Sequence, residues 1–195
     1  MLQVAFTMFG AAGALSAPIP KSPLVRDADQ CMGSRAPLTR TLIYRKEATV
    51  TKLNVLKGGC HCGNLCLSLT TTLSPSKLNP RACDCSFCAK HAAMYVSDPS
   101  SRLVIDVKRI EALGKYRQGS KTVDLLFCKE CGVLVAVVWE REGGASGAVN
   151  ARCLNEYESL GEPVIVSPQK LNKAEKTARW ETLWTKDVQV RVSDA

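Results

Sequence analysis

Seven of the ten cysteines in this chain fall into three tight groups, and no other feature of the sequence restricts the fold so strongly. Cys60 and Cys62 form the first group, Cys83, Cys85 and Cys88 the second, and Cys128 and Cys131 the third. Cysteines two or three positions apart are poorly placed to bridge one another, because a disulfide needs well-separated Cα atoms with facing Cβ vectors. They are well placed to converge on one ion. Ten cysteines in a secreted chain would read as a disulfide framework; this spacing argues for reduced thiolates instead. Cys31, Cys66 and Cys153 stand outside the groups. Cys66 and Cys153 lie on or beside apolar runs and read as small buried residues.

The sequence Cys128-Lys129-Glu130-Cys131-Gly132 has the form of a zinc knuckle, two thiolates on one tight turn with a glycine that lets the chain reverse. Cys60-His61-Cys62-Gly63 supplies a second pair, again followed by glycine. Four thiolates fill a tetrahedron and leave no room for substrate. The expected role of these two pairs is a structural site that staples distant parts of a β fold, contributing on the order of 10 kcal/mol to folding. With only 6% aromatic residues to build a core, the chain has use for such a staple.

Cys83-Asp84-Cys85-Ser86-Phe87-Cys88 offers three ligands and no fourth cysteine nearby. Three protein ligands with one position open is the arrangement of catalytic zinc. Three thiolates donate much charge, so the ion they hold is a weak Lewis acid, better at keeping an incoming thiol ionised than at making hydroxide. Thiol addition or transfer is therefore expected ahead of hydrolysis. A redox switch and an iron–sulfur site with one outside ligand stand as alternatives for this group. His91 is a candidate fourth ligand or a neighbour that tunes the site. His61 reads as a spectator and Lys90 as a solvated lysine or a counter-charge. Asp84 and Ser86 read as turn residues bonding local N–H groups.

The net charge of +8 is uneven: residues 1–57 carry +5, residues 58–155 carry +4 and residues 156–195 carry −1. Without a dense basic stripe this is weak evidence for nucleic acid. The first 26 residues hold no acid and residues 2–19 no charge at all, and the stretch runs into Pro18, Pro20 and Pro23. We expect a disordered or targeting extension there, too broken to span a membrane. From residue 58 onward the texture is β. Leu65, Leu67 and Leu69 alternate with Cys66, Ser68 and Thr70, and apolar runs follow at 92–97, 102–107, 122–127 and 133–139. The run Val133 to Trp139 predicts a strand covered on both faces. A further strand is expected at 148–152 after the Gly143-Gly144 turn, and a helix near 169–184 from the spacing of Leu171, Ala174 and Ala178.

The order Cys-x-Cys-Gly, Cys-x-Cys-Ser-x-Cys, Cys-x-x-Cys-Gly resembles the glutathione-dependent formaldehyde-activating enzyme family, which includes centromere protein V. Gly58-Gly59-Cys60 entering a strand and the late Val149-Asn150-Ala151-Arg152-Cys153-Leu154-Asn155 add to the resemblance, which spans about residues 55–160. It implies a β-tent, a small set of antiparallel sheets pinned by two zinc ions. It also implies a structural site at Cys60, Cys62, Cys128 and Cys131 and a catalytic site at Cys83, Cys85 and Cys88. The family reaction adds glutathione to formaldehyde, giving S-hydroxymethylglutathione, and is classed with the carbon–sulfur lyases. Two departures are visible: Ala89-Lys90-His91-Ala92-Ala93 follows the third catalytic cysteine, and Asn155 stands where an acid is common.

The expectation is thus a mostly β, zinc-stapled domain at 55–160, an extension at 1–54, and a C-terminal extension at 161–195 carrying a short helix. Its expected activity is that of a zinc-dependent carbon–sulfur lyase acting on a glutathione adduct of formaldehyde or a related small electrophile. Two rivals stand beside it: a non-enzymatic zinc module for protein or nucleic-acid interaction, and a family member that has lost turnover. Reduced thiolates favour the cytoplasm, with mitochondria second, and no membrane partner is expected.

Overall fold

The computed structural model describes residues 52–193; Cys31 and the expected extension up to residue 51 lie outside them. In chain order the first elements are β1 (Asn54–Gly59), β2 (Leu65–Thr71), β3 (Arg81–Cys83), α1 (Ser86–Lys90), β4 (Met94–Val96) and β5 (Arg102–Val107). There follow β6 (Leu113–Tyr116), β7 (Asp124–Cys128), β8 (Leu134–Arg141), β9 (Gly144–Asn150), β10 (Val164–Val166), α2 (Lys173–Leu183) and β11 (Asp187–Val192). Four strands make one sheet in the order β1-β2-β5-β11, and seven make the other in the order β10-β3-β4-β9-β8-β7-β6.

The β-rich expectation and the late helix are both found, and the strand runs read from the sequence fall on β2, β4, β5, β7, β8 and β9. The sheets are not wholly antiparallel, however. β11 runs parallel to β5, and β10 runs parallel to β3. Both parallel partners come from residues 161–193, which the sequence presents as an extension; in the structure that segment supplies an edge strand to each sheet. A parallel pairing needs a long crossover between its strands, and the helical turns and α2 that precede these strands provide part of it.

The core lies between the sheets. Leu56, Leu65, Leu67, Leu69, Leu103, Ile105 and Val107 from the smaller sheet pack with Leu126, Ala136, Val138 and Val149 from the larger. The alternation in β2 is the expected one, with Leu65, Leu67 and Leu69 buried and Ser68 and Thr70 half-exposed. On the far face of the larger sheet, Leu125, Val137 and Ala148 pack with Trp180 and Trp184, from α2 and its C-terminal cap. β8 is therefore covered on both faces, which is why its sequence is apolar without alternation. α2 begins with a capping box in which the Asn172 and Glu175 side chains and backbone N–H groups bond reciprocally. At its other end the Leu183 carbonyl accepts a bond of 2.6 Å from Ser97. Thr185 then pairs with Gly147 through two backbone bonds, returning the chain to the smaller sheet.

Two backbone positions matter for where the cysteines end up. At Gly58 the segment after β9 crosses close over β1: a Cβ there would stand 1.8 Å from the Cys153 carbonyl oxygen. Gly58 pairs with Leu154, and Asn155 N–H donates to Lys57 at 2.8 Å, so this crossing joins the two sheets beside the first cysteine pair. After α1 the chain turns through Ala92 with φ of 46°. The Ala92 and Ala93 N–H groups bond back to the Ala89 and Cys88 carbonyls, a Schellman ending in which alanine occupies the position glycine prefers. Left-handed backbone costs an L-residue about 1–2 kcal/mol.

Gly58→Ala is expected to cost about 3 kcal/mol of stability, because backbone rather than a flexible side chain would have to move. Ala92→Gly is expected to raise stability by about 0.5–1 kcal/mol, the relieved strain exceeding the added chain entropy. Urea unfolding midpoints of the two variants beside the parent check both.

Candidate metal centres and an adjoining cavity

Cys60 and Cys62 sit on the turn from β1 to β2, in the smaller sheet. Cys128 ends β7 and Cys131 lies on the turn to β8, in the larger. The two turns are built alike. Gly63 N–H returns to the Cys60 carbonyl at 3.1 Å, and Gly132 N–H to the Cys128 carbonyl at 2.8 Å. Both glycines have φ of 73°, so the glycine after each pair is needed for a left-handed step. Backbone N–H groups approach the sulfurs, as Leu65 N–H does to Cys60 Sγ at 3.2 Å.

The four sulfurs lie within 4.8 Å of one another, with Cys60 and Cys62 3.6 Å apart and Cys62 and Cys128 3.5 Å apart. All four thiols are free of disulfides. A tetrahedral thiolate site with bonds of about 2.3 Å has edges of about 3.8 Å, so the donor set fits a metal ion. Burial pushes the Cys60 thiol up to about 12 and raises Cys128 as well. At Cys131 burial also acts upward, but the N–H groups of Val133 and Cys62 outweigh it and bring the thiol down to about 7. Four thiolates cannot gather here without a cation to share their charge.

The second group is formed by Cys83 at the end of β3, Cys85 at the N-cap of α1 and Cys88 within α1, and its three sulfurs also lie within 4.8 Å of one another. The cap itself draws them together, since Cys85 Sγ accepts from Cys88 N–H at 3.5 Å. Two further side chains reach the sulfurs: the Gln118 amide donates to Cys85 Sγ at 3.3 Å, and the Tyr95 hydroxyl lies 3.5 Å from Cys88 Sγ. Contact with the Cys88 thiol pulls Cys83 below the usual thiol range, against its burial. The same contact, with burial, pushes Cys88 up. Burial likewise raises the Tyr95 phenol.

Neither histidine joins a cluster among the described residues. His91 is exposed and packs on Phe87, ring centroids 4.5 Å apart, with Tyr116 on Phe87 at 4.9 Å. Asp84 does not cap its own turn as expected; it reaches across to Ser167 and to Gln169 at 3.2 Å, tying the cysteine loop to the strand-β10 segment. Cys66 and Cys153 are both buried, as read from the sequence.

Cys83, Cys85 and Cys88 open onto a cavity of about 300 Å³. The first group does not touch it. Its apolar wall is Val123, Leu125 and Val137, and Trp180 and Trp184 stack on another side with centroids 5.0 Å apart. Arg81, Gln118, Lys176 and Arg179 add polar groups. The loop carrying Gln118 is clasped at its base by Arg117 and the buried Asp124, whose carboxyl that guanidinium holds below the usual range. Burial, joined by the charge of Arg179, brings the Arg81 guanidinium down to about 10. Sequence reading missed Tyr95, Gln118, Arg81, Arg179 and both tryptophans as site residues. None sits in a motif, and each reaches the cysteines only through folding.

No curated protein matches the chain. Among solved structures, the chain is similar to that of a Rhodobacter sphaeroides protein from a structural genomics programme. It shares 28% identity with that protein, covers 56% of this chain and 99% of the other, and superposes with a TM-score of 0.40. The profile of the family described as glutathione-dependent formaldehyde-activating enzyme matches residues 55–169, which hold both cysteine groups and all but four residues of the cavity wall, so the chain belongs to that family.

Proposed function

We propose that this chain is a zinc-dependent enzyme of the carbon–sulfur lyase type, acting on the glutathione adduct of formaldehyde or of a related small electrophile. One observation carries the reading: of the two sulfur clusters, the three-cysteine one lines the cavity of about 300 Å³ and the four-cysteine one is not part of its wall. In this reading Cys60, Cys62, Cys128 and Cys131 hold a structural ion and Cys83, Cys85 and Cys88 hold the reactive one. When bound there, zinc would lower the pKa of an incoming thiol and keep it as thiolate near neutral pH.

The chain's own groups have definable parts. Gln118 and Tyr95 bond to the sulfurs of Cys85 and Cys88, which fixes those side chains and moderates the charge on the trithiolate. Val123, Leu125 and Val137 limit water at the reacting end. The reaction joins sulfur to the aldehyde carbon, breaks the carbonyl π bond and leaves the thiol proton on oxygen. The reverse cleavage runs over the same groups. The cytoplasm is the proposed site of action, since reduced thiolates persist there.

Purified full-length chain is expected to carry about two zinc ions, with about one eighth of the averaged sulfur shell missing at the zinc edge until glutathione fills it. Cys85→Ser is expected to lose one ion and turnover while staying folded. Cys128→Ser is expected to lose several kcal/mol of stability. A single zinc per chain, or two four-sulfur sites indifferent to glutathione, would leave no open thiol site and overturn the proposal.

A further inference from the structure

The cavity beside Cys83, Cys85 and Cys88 carries three cations, Arg81, Lys176 and Arg179, and no aspartate or glutamate lines it. Among the described residues none of the three has a carboxylate within ion-pair distance, whereas Arg102, Arg109, Lys115 and Arg117 each do. All three are half-buried, so their charges are only partly met by solvent. Arg81 is held by a bond to Ser97 Oγ, and Ser97 in turn bonds the Leu183 carbonyl of α2, so strand and helix are locked with the guanidinium between them. Beside this charge lies an indole wall: Trp180 and Trp184 stack at 5.0 Å, and Trp139 supports Trp180 at 5.6 Å.

We propose that this end of the cavity seats the carboxylate and planar apolar body of a small ligand, the carboxylate on Arg81 and Arg179 and the ring against Trp180 and Trp184. The inference rests on the enzyme reading only for what lies at the other end, the three sulfurs. Arg81 and Cys83 are two residues apart on β3 and so share one face, with a rise between them of about 7 Å. A single ring with a short substituent spans that distance, which makes an aryl or similarly flat carboxylate the substrate class that reaches both ends. The volume of about 300 Å³ stands at the small end of ligand cavities, in keeping with such a molecule. Lys176, Arg179, Trp180 and Trp184 all lie beyond the residues matched by the family profile, so the indole wall and two of the three cations come from the chain's C-terminal segment, while Arg81 lies within the matched residues.

The test titrates zinc-replete, full-length protein with phenylacetate, benzyl alcohol and inorganic phosphate, following tryptophan fluorescence. Phenylacetate is expected to give saturable quenching at least about ten-fold tighter than benzyl alcohol, the worth of one charge-assisted bond. Phosphate, an anion without the apolar body, is expected to compete about ten-fold less well than phenylacetate. Arg179→Gln is expected to weaken phenylacetate about ten-fold while leaving benzyl alcohol unchanged, with Arg179→Lys recovering part of the loss. Equal binding of phenylacetate and benzyl alcohol, phosphate competing as well as phenylacetate, or an Arg179→Gln variant with unaltered phenylacetate affinity, would overturn the seat. Such a failure, with glutathione still filling the zinc shell, leaves the enzyme reading intact. Phenylacetate bound as expected, with glutathione inert, sinks the enzyme reading and not the seat.

Discussion

Four sulfurs meeting between two sheets set the terms for the rest of this structure. Cys60 and Cys62 belong to a turn of the smaller sheet and Cys128 and Cys131 to a turn of the larger, so the contact at 3.5 Å between Cys62 and Cys128 is a contact between sheets. The apolar core alone holds those sheets face to face, but it is built from leucine, valine and alanine with few rings. Hydrophobic contact is non-directional and tolerates sliding. An ion held by the four thiolates would not, because it would fix one end of each sheet at one point. The close crossing at Gly58, where the segment after β9 passes over β1, lies beside the same meeting.

The cavity depends on that fixed frame. Its floor is the outer face of the larger sheet, through Leu125 and Val137, and its three-sulfur end hangs from β3 and α1. Its roof is α2, which holds its place through Trp180 and Trp184 against the sheet and through the Ser97 bond to its last carbonyl. Clustered sulfur, apolar floor and cationic roof therefore come from three separate stretches of chain. A small displacement of α2 would move Arg179 and the indoles relative to the sulfurs without touching any cysteine.

Much of this could be read in the sequence. The cysteine groups were legible because metal ligation on a turn is local: two sulfurs three residues apart point to one place whatever the rest of the fold does. β2 and β8 were legible because burial on one face or two writes itself into alternation or its absence. The capping box at Asn172 and Glu175 is a local signal of the same kind. What stayed hidden were β11, whose alternating Val188, Val190 and Val192 went unread, and short strands with no period of their own. β3 and β10 have three residues each, and their place is set by the partner rather than by their residues. His91 was a fair candidate ligand on spacing, yet α1 ends at Lys90 and the next turn carries the imidazole onto Phe87.

By itself the sequence determined the chemistry available: seven clustered thiols, divided four and three, in a β-rich chain whose motif order marks its family. Tertiary structure alone decided which thiols see a cavity and what else that cavity contains. Arg81, Tyr95, Gln118, Arg179 and the two tryptophans are ordinary residues in sequence, scattered over a hundred positions. They become a site only because β3, β4, the loop before β7 and α2 converge. That convergence is long-range packing, and long-range packing leaves no periodic trace in the residues it unites.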